Sequence, residues 1–335
     1  MKKILLIRFS SIGDIVLTTP VVRSLKKQLQ CELHAVTKKQ NALLYQNNPY
    51  VDKVFSFGND IGEVVKQLKA EKYDFVVDLQ KNLRSVKIKR ALGVPSASFP
   101  KVNIKKWLLV NFKINLLPKV HVVDRYFAAV KELQVENDMQ GLDYFIPAED
   151  EIEPETIHKN LKEGYLGFVI GGQHFTKIFP PEKVAEVINS LSMPVLLLGG
   201  KEDVGRGEKI VSLTQGRQVI NGCGKFNLNQ SASLVKQCNV LVTNDTGLMH
   251  IGAAFGKPII SVWGNTVPEF GMYPYMPGNE AHFFVAEVKG LSCRPCSKLG
   301  HTKCPKKHFK CMMEQDVDAI VKKVNAYNNT TEKPV

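Results

Sequence analysis

The alternation of short apolar runs with longer amphipathic stretches constrains the fold of this 335-residue chain more than any other feature. Runs such as Ile4–Ile7 and Phe75–Leu79 have the length of buried strands, and amphipathic stretches such as Ile61–Glu71 lie between such runs. Strands that alternate with helices of about 10–15 residues indicate βαβ units and a parallel sheet. The predicted fold class is therefore α/β.

Two interruptions of this alternation bear on the domain organisation. Residues 102–120 are basic and irregular, and Val122–Leu133 has a helical pattern. The segment Pro147–Pro154 is acidic and has a proline at each end. Because its charges repel one another and its prolines interrupt helices and central strands, we expect a linker there.

The alternation restarts after this segment, at Leu166–Ile170. At about 150 residues per domain, the chain length also favours two domains. We therefore expect two Rossmann-like domains, residues 1–153 and 154–335, whose parallel sheets face a central cleft. In such folds, ligands bind at the carboxyl ends of the strands. Asn325–Val335 has the composition of a frayed polar tail.

The chain is basic, with 45 Lys and Arg against 32 Asp and Glu and a net charge of +13. This charge favours an anionic partner, such as a phosphorylated small molecule, a nucleic acid or an acidic membrane. The hydrophobic fraction of 44% is ordinary and excludes disordered and fibrous classes. The first apolar run is too short for a signal peptide, and no run reaches the ~18 residues of a membrane span, so we expect a cytoplasmic protein.

The first candidate site is the turn after the first strand, which contains Ser10, Ser11 and Gly13 and leads into Asp14. In one interpretation these residues do no more than cap a helix, as in any such turn. At the end of a strand, however, a carboxylate can also accept a proton from a bound hydroxyl group. The sequence leaves the capping and general-base interpretations open.

The strongest local signal is Val240–Pro258, where a buried strand runs into Asn-Asp-Thr-Gly and a helix of small residues. The start of such a helix presents backbone N–H groups and a positive dipole, which suit a diphosphate. Asp245 can then accept a hydroxyl group of a sugar or ribose, while Thr246 caps the helix. In the alternative interpretation, both residues are caps only and His250 belongs to the core.

Two more loops follow strands of the second half. Gly171 and Gly172 permit close approach to the backbone, and Lys177 in the same loop can meet phosphate oxygens. A lysine that is merely solvated is the alternative. One βα unit later, Glu202 can contact a sugar or nucleoside.

The sequence lacks a suitably placed Asp-x-Asp motif for metal-dependent sugar transfer and lacks a Walker A motif for nucleotide binding. The single Asp-x-Asp, Asp316–Asp318, lies in a stretch with the pattern of an amphipathic helix, and no G-x-x-x-x-G-K-[ST] occurs. We therefore expect catalysis without a cofactor, in which protein cations and helix dipoles balance the charge of a departing diphosphate.

Four of the seven cysteines crowd together near the end of the chain. Four thiolates are the ligand number of a structural zinc site, although this spacing is more compact than in zinc ribbons. A reduced packed cluster or a redox-labile pair is the alternative. The candidate zinc ligands are Cys293, Cys296, Cys304 and Cys311.

Three of these loops, in this order and spacing, resemble the ADP-heptose:lipopolysaccharide heptosyltransferases of glycosyltransferase family 9. The resemblance implies a GT-B fold, in which the first domain binds the acceptor and the second binds the nucleotide sugar. It also implies inverting, metal-independent transfer of a heptose or related sugar to a lipopolysaccharide core acceptor. The matching stretches are Ile4–Leu25, Gly171–Pro181, Val195–Asp203 and Val240–Thr266.

The resemblance implies roles for individual residues as well. Asp14 matches the general base, and Lys177 matches the lysine near the donor diphosphate. Glu202 matches the family's acidic donor contact. If the match to the family contains a gap of one residue here, Asp203 takes that position instead. The implied acceptor contacts are Ser10, Ser11 and Gly13. The implied donor contacts are Gly171, Gly172, Thr176, Lys177, Glu202, Asp245, Thr246, Gly247 and His250.

The implied partners are ADP-heptose, a lipopolysaccharide core or lipid A acceptor, and the anionic surface of the inner membrane, with the protein cytoplasmic or peripheral on that membrane. Lys101, Lys105, Lys106 and Trp107 are candidate contacts for lipid headgroups. Nucleic acid is not an expected partner. Two other classes stay open: a nucleotide-sugar epimerase of the same architecture, and a basic, non-catalytic protein that binds nucleic acid or a lipid surface.

Overall fold

The computed structural model describes residues 1–330, and the chain divides into two compact units. Unit 1 comprises Met1–Val102 and Val120–Phe145. Unit 2 comprises Asn103–Lys119 and the chain from Ile146 onward. The chain therefore enters unit 2 before residue 153, and the irregular basic segment of the sequence belongs to unit 2 although unit 1 flanks it on both sides.

Each unit contains one sheet in which all strands are parallel. The strands of unit 1 are β1 (Lys3–Ile7), β2 (Glu32–Lys38), β3 (Lys53–Phe57), β4 (Phe75–Asp78) and β5 (Ser96–Ser98). Those of unit 2 are β6 (Leu166–Val169), β7 (Val195–Leu198), β8 (Val219–Asn221), β9 (Val240–Asn244), β10 (Ile259–Trp263) and β11 (Phe283–Glu287). The predicted α/β class with two parallel sheets is confirmed.

The strand orders are β3-β2-β1-β4-β5 and β11-β10-β9-β6-β7-β8. Each sheet starts in its interior and extends first to one side and then to the other, which is the Rossmann strand order. The order reverses between β1 and β4, where Ile7 pairs with Asp78, and between β6 and β9, where Val169 pairs with Thr243. Ligands of such sheets bind beyond the carboxyl ends of the strands at these two places.

The helices flank the two sheets, and no helix within residues 1–330 is both long and apolar enough to cross a bilayer. In chain order they are α1 (Ile12–Val16), α2 (Thr19–Leu29), α3 (Leu43–Gln46), α4 (Gly62–Ala70), α5 (Leu83–Leu92), α6 (Asn103–Phe112), α7 (Val122–Tyr126), α8 (Pro154–Ile157), α9 (Pro181–Asn189), α10 (Val204–Leu213), α11 (Leu228–Gln237), α12 (Gly247–Ala254), α13 (Lys310–Met313) and α14 (Val317–Thr330).

Several elements differ from the sequence prediction. The irregular stretch 102–120 contains α6, and the helix expected over Val122–Leu133 is α-helical only in α7, with 3₁₀ turns after it. The tail expected to fray over Asn325–Val335 is helical as far as Thr330, and residues 331–335 lie outside the described residues.

The segment Pro147–Pro154, predicted as a linker, begins directly after the boundary between the two units at Phe145 and Ile146, and it packs against α11. Asp150 accepts hydrogen bonds from the side-chain amides of Asn227 (2.7 Å) and Asn229 (2.8 Å). Glu151 forms an ion pair with Lys236 at 3.0 Å. Polar partners on α11 therefore compensate the charges that were expected to repel one another.

Candidate functional site

Unit 1 places Asp14 in α1, just beyond the carboxyl end of β1. Its Oδ2 accepts hydrogen bonds from the backbone N–H (3.0 Å) and the hydroxyl group (2.8 Å) of Ser11, as a capping residue does. Its Oδ1 forms an ion pair with Nη2 of Arg8 at 2.6 Å. These contacts orient the carboxylate, yet 23% of its side chain is exposed, so a ligand can reach it.

Arg8 is the buried residue behind this carboxylate. Its Nη1 donates to the carbonyl oxygen of Leu79 (2.5 Å) and to the hydroxyl group of Tyr126 (3.2 Å). Burial is the largest single influence on the pKa of Arg8 and acts to lower it. The charges of Asp14, Tyr126 and Tyr45 and the hydrogen bond to Asp14 together outweigh burial, so this pKa is raised. A permanent cation in contact with a carboxylate favours its ionised form, the form that can accept a proton.

The other predicted residues of unit 1 have different surroundings. Ser11 is exposed beside Asp14, and the carbonyl oxygen of Ser10 accepts a hydrogen bond from Nε of Arg8 (3.0 Å). Gly13 is buried inside α1. Lys101, which the sequence suggested for lipid contact, is partly buried, and both its burial and the charge of Arg8 lower its pKa.

In unit 2, the loop from Gly171 to Phe179 follows β6 and carries Lys177. Both of its ends are held by Asn244, the last residue of β9. The Nδ2 group of Asn244 donates to the carbonyl oxygen of Gly171 (2.9 Å), and its Oδ1 accepts from the N–H of Phe179 (3.1 Å). One buried amide therefore fixes the loop to the strand that leads into Asp245.

Lys177 and Asp245 meet at this place. Nζ of Lys177 lies 2.5 Å from Oδ2 of Asp245, and the Thr266 hydroxyl group donates to the same oxygen at 3.0 Å. Both charged side chains are largely buried. The carboxyl ends of β6, β9 and β10 thus each contribute one member of a polar cluster, which we refer to as the Lys177 cluster.

The start of α12 lies next to Asp245 in the chain. Thr246 is the N-cap residue, and its hydroxyl group contacts the hydroxyl group of Thr243 at 3.3 Å rather than the first amide groups of the helix. Gly247 begins the helix without a side chain, and His250 is buried in its first turn. Backbone N–H groups at a helix start suit an anion such as a phosphate.

The requirement for glycine at position 171 has a steric cause. A Cβ atom on Gly171 would lie 2.3 Å from Oδ2 of Asp203. That oxygen accepts a hydrogen bond from the N–H of Gly200 at 2.9 Å, and Oδ1 of Asp203 forms an ion pair with Arg206. Asp203 is buried in these contacts, whereas Glu202 is exposed. Of the two acidic residues that the resemblance allowed as a donor contact, Glu202 is therefore the one open to a ligand.

Thr176, a predicted donor contact, is instead bonded to the cysteine-rich segment. Its N–H donates to the carbonyl oxygen of His301 (3.2 Å), and its hydroxyl oxygen accepts from the N–H of His301 (2.8 Å). The ring of Phe175 stacks on that of Phe309 at 5.0 Å. The residues directly before Lys177 are therefore positioned by residues that come much later in the sequence.

All seven cysteines are free, and the four that crowd together interact electrostatically with one another. Burial, followed by the charges of its neighbours, raises the pKa of Cys311 to about 12. Sγ of Cys293 also lies 3.8 Å from Nε2 of His308, so His308 is a further possible ligand.

The thiols do not form a closed metal shell. A tetrahedral zinc site would bring its sulfurs to about 3.8 Å from one another. Over residues 1–330, the one group of three or more potential ligand atoms within 4.8 Å of each other is Glu32, His34 and Glu71. Lys3 and Lys53 form ion pairs with that group, which compensate its charge without a metal.

The family description "Glycosyltransferase family 9 (heptosyltransferase)" matches residues 61–299. The chain belongs to glycosyltransferase family 9. This family 9 protein is similar to lipooligosaccharide heptosyltransferase 2 of Haemophilus influenzae, with 28% identity over 292 residues that cover 80% of this chain and 84% of that protein. The prediction of a glycosyltransferase is confirmed, which disfavours the epimerase and the non-catalytic binding protein.

Solved structures have the same fold as this family 9 enzyme. The glycosyl transferase family 9 protein from Veillonella parvula matches with a TM-score of 0.77 and 23% identity over 98% of both chains. The ADP-heptose lps heptosyltransferase II of Escherichia coli matches with a TM-score of 0.70 and 21% identity, covering 99% of this chain and 100% of that one. The predicted GT-B fold is confirmed.

Sequence analysis did not single out three residues that contact predicted site residues of this family 9 enzyme, Arg8 in unit 1 and Asn244 and Thr266 in unit 2. Arg8 and Asn244 are polar residues at the ends of otherwise apolar strand runs, where they depart from the pattern. That departure is a signal, because a buried polar group requires a partner. Thr266 gave no comparable signal, since hydroxyl residues are ordinary in a loop.

Proposed function

We propose that this glycosyltransferase transfers a heptose from ADP-heptose to a lipopolysaccharide core acceptor, with inversion at the anomeric carbon and without a metal ion. The observation that carries the proposal is the Lys177 cluster, which places a cation and a carboxylate beside the start of α12. Such a place suits the diphosphate and a hydroxyl group of a nucleotide sugar. The heptosyltransferase names of the relatives support the choice of sugar and acceptor.

The proposed reaction is a single displacement. The acceptor hydroxyl group gives its proton to Asp14, and its oxygen forms the new bond to the anomeric carbon. The bond from that carbon to the diphosphate oxygen breaks on the opposite face, and the electron pair leaves with the diphosphate. One displacement of this kind inverts the configuration. Lys177 and the N–H groups of α12 stabilise the charge that develops on the leaving group.

Arg8 orients Asp14, and Asp245 orients Lys177. Arg8 holds one oxygen of Asp14 and keeps the carboxylate ionised before it accepts the proton. Asp245 holds Nζ of Lys177 until the diphosphate supplies a stronger partner, and it then accepts a hydroxyl group of the donor. A cytoplasmic location beside the inner membrane, and no role for nucleic acid, belong to the same proposal.

The proposed activity is tested by measuring the transfer of heptose to the acceptor. The purified protein is incubated with ADP-heptose and a heptose-free lipopolysaccharide core, and mass spectrometry is expected to find the acceptor heavier by one heptose. The same rate is expected in EDTA, because no step uses a metal. NMR of the product is expected to show the inverted anomeric configuration.

Three outcomes would contradict this proposal. Conversion of the nucleotide sugar to an isomer in the absence of acceptor would identify an epimerase. Activity that EDTA abolishes and that magnesium or manganese restores would exclude the metal-free mechanism. Retention of the donor's configuration in the product would exclude a single displacement.

For the cysteine-rich segment, we propose a structural zinc ion that draws the four thiols together. A four-thiolate shell leaves no position for water and so takes no part in the reaction. Elemental analysis of protein purified without chelators is expected to find about one zinc per chain. Cys293→Ser should lose the metal and lower the melting temperature, since metal binding contributes folding free energy.

Two variants identify the fourth ligand. If Cys311 is a ligand, Cys311→Ser loses zinc while His308→Ala keeps it, and the opposite result would assign the position to His308. Metal-free wild-type protein with four freely titrating thiols in this segment would contradict the zinc proposal and leave a reduced, packed cluster.

A further inference from the structure

The loop of residues 264–266 directly follows β10 and contributes Thr266 to the Lys177 cluster. The hydroxyl group of Thr266 donates to Oδ2 of Asp245 at 3.0 Å. At the other end of the loop, a Cβ atom on Gly264 would lie 2.6 Å from the carbonyl oxygen of Thr176. The loop therefore touches both the carboxylate of the Lys177 cluster and the backbone that leads to its lysine.

Arg294, which lies in the cysteine-rich segment, holds the backbone of this loop. Its Nε donates to the carbonyl oxygen of Gly264 at 2.7 Å, and its Nη2 donates to the carbonyl oxygen of Thr266 at 2.9 Å. Between these two bonds, the N–H of Cys296 donates to the carbonyl oxygen of Asn265 at 3.2 Å. Three successive carbonyl groups are thus bound from one short segment of chain, and Arg294 binds two of them.

The guanidinium group of Arg294 is itself fixed from its other side. Its Nη1 forms an ion pair with Glu287, the last residue of β11, at 2.7 Å and donates to the carbonyl oxygen of Val288 at 3.3 Å. The side chain is only 7% exposed. A planar guanidinium has several donors in fixed directions and can serve carbonyl groups and a carboxylate at once. Arg294 therefore links the end of β11 to the loop after β10.

The side chains of the 264–266 loop do not hold it in place instead. Asn265 is 1% exposed, and neither polar atom of its side-chain amide has a hydrogen-bond partner among residues 1–330. Gly264 has no side chain, and the hydroxyl group of Thr266 is engaged with Asp245. The position of the loop therefore depends on its carbonyl groups, and so on Arg294.

We propose that Arg294 is a positioning residue for the donor site. It holds the 264–266 loop where the hydroxyl group of Thr266 fixes the carboxylate of Asp245 beside Lys177. A site binds its ligand well when the residues that touch the ligand are held by further contacts behind them. All three guanidinium nitrogens of Arg294 donate to groups of unit 2, so it acts through Thr266 rather than on the donor. The inference rests on the proposed function in that the Lys177 cluster binds the nucleotide sugar.

A double-mutant cycle tests whether Arg294 acts through Thr266. Arg294→Lys keeps a positive charge for Glu287 but cannot bind both carbonyl groups, and Thr266→Val removes only the hydroxyl group. Each is expected to raise the Kd for ADP-heptose, titrated without acceptor, about tenfold to a hundredfold, the range for a lost hydrogen bond to a charged group. The double variant is expected to bind no more weakly than Thr266→Val, because the hydroxyl group that Arg294 positions is already absent.

Two further variants serve as controls. Glu287→Gln removes the ion pair of Arg294 and leaves its bonds to the loop, so we expect a lower melting temperature and a Kd for ADP-heptose within about twofold of the wild type. Thr266→Ser keeps the hydroxyl group and is expected to bind the donor as the wild type does. If Arg294→Lys does not fold, Arg294→Gln replaces it in the cycle with the same expected result.

Three results would decide the matter differently. Losses of donor affinity that add up in the double variant would overturn the inference, as would a lower melting temperature in Arg294→Lys with donor affinity unchanged. An equal rise of the Kd in Glu287→Gln would also overturn it, since general destabilisation would then explain the effect. Protein that binds ADP-heptose with the expected pattern but transfers no heptose would instead refute the proposed function and leave this inference standing.

Discussion

Asp14→Asn is expected to lower turnover about 10²–10⁴-fold, the range for loss of a general base. The affinity for the nucleotide sugar is expected to stay the same, because Asp14 belongs to unit 1 and the Lys177 cluster to unit 2. An asparagine keeps the shape of the side chain and can still accept a hydrogen bond from Ser11, but it cannot accept a proton. Steady-state kinetics and donor titration measure the two quantities separately.

Ser11→Ala is the matched control, because it removes one hydrogen bond to Asp14 and leaves the charge in place. It is expected to lower stability by about 0.5–2 kcal/mol, as for loss of a helix cap. As an implied acceptor contact, Ser11 should affect the KM for the acceptor, but kcat should stay within a few-fold of the wild type because the base remains. If Asp14 were only a cap, both variants would lower the melting temperature alike and neither would lose turnover. In wild-type protein the rate should fall toward acid pH as a base is protonated, and Asp14→Asn should lack that fall.

The second large effect is expected at Lys177. Lys177→Met should lower kcat/KM for the donor about 10²–10³-fold, as for loss of one stabilising group at a developing negative charge. The loss has two parts. The cation near the diphosphate is gone, and Asp245 keeps its negative charge with the hydrogen bond from Thr266 but without the lysine. Initial rates at varied donor concentration measure the combined effect.

A double-mutant cycle with Asp245→Asn separates a donor contact from a structural ion pair. If each residue contacts the donor, as proposed, each single variant weakens donor binding and the double variant is weaker than either. If the pair only stabilises the fold, Asp245→Asn leaves donor affinity unchanged, and the double variant recovers the melting temperature lost in Lys177→Met. The double-mutant cycle can measure a coupling between Lys177 and Asp245 because the two side chains are in direct contact.

Local pattern predicted most of the sheet elements, since strand and helix periodicity depend on neighbours in the sequence. Ile4–Ile7 and Phe75–Leu79 match β1 and β4 closely for this reason. The edge strands β5 and β11 escaped prediction. β5 has no continuous apolar run, whereas β11 was missed although it begins with the apolar run Phe283–Ala286. The packing of the acidic segment Pro147–Pro154 against α11 escaped prediction, because its partners there lie far away in the sequence.

The candidate site was predictable where strand ends and helix starts coincide. Asp14, Lys177 and Asp245 follow strands, and the Rossmann order brings the ends of β6 and β9 together. The contact of Thr176 with His301 spans 125 positions of sequence, and nothing in the local pattern of Thr176 points to it. Long-range contacts of this kind decide which loop residues face a ligand and which hold the loop in place.

The placement of α6 has a consequence for how the protein is made. The ribosome releases α6 long before it has synthesised Val267 and Phe270, the residues against which Leu109 packs. Until then Leu109 on the inner side of this helix is without its partners, and such exposed apolar segments favour aggregation and chaperone binding. Unit 1 is likewise interrupted by a stretch that belongs elsewhere. A fragment ending at residue 145 would therefore carry an apolar helix with no core to join, so the two units of this enzyme should be expressed together rather than dissected.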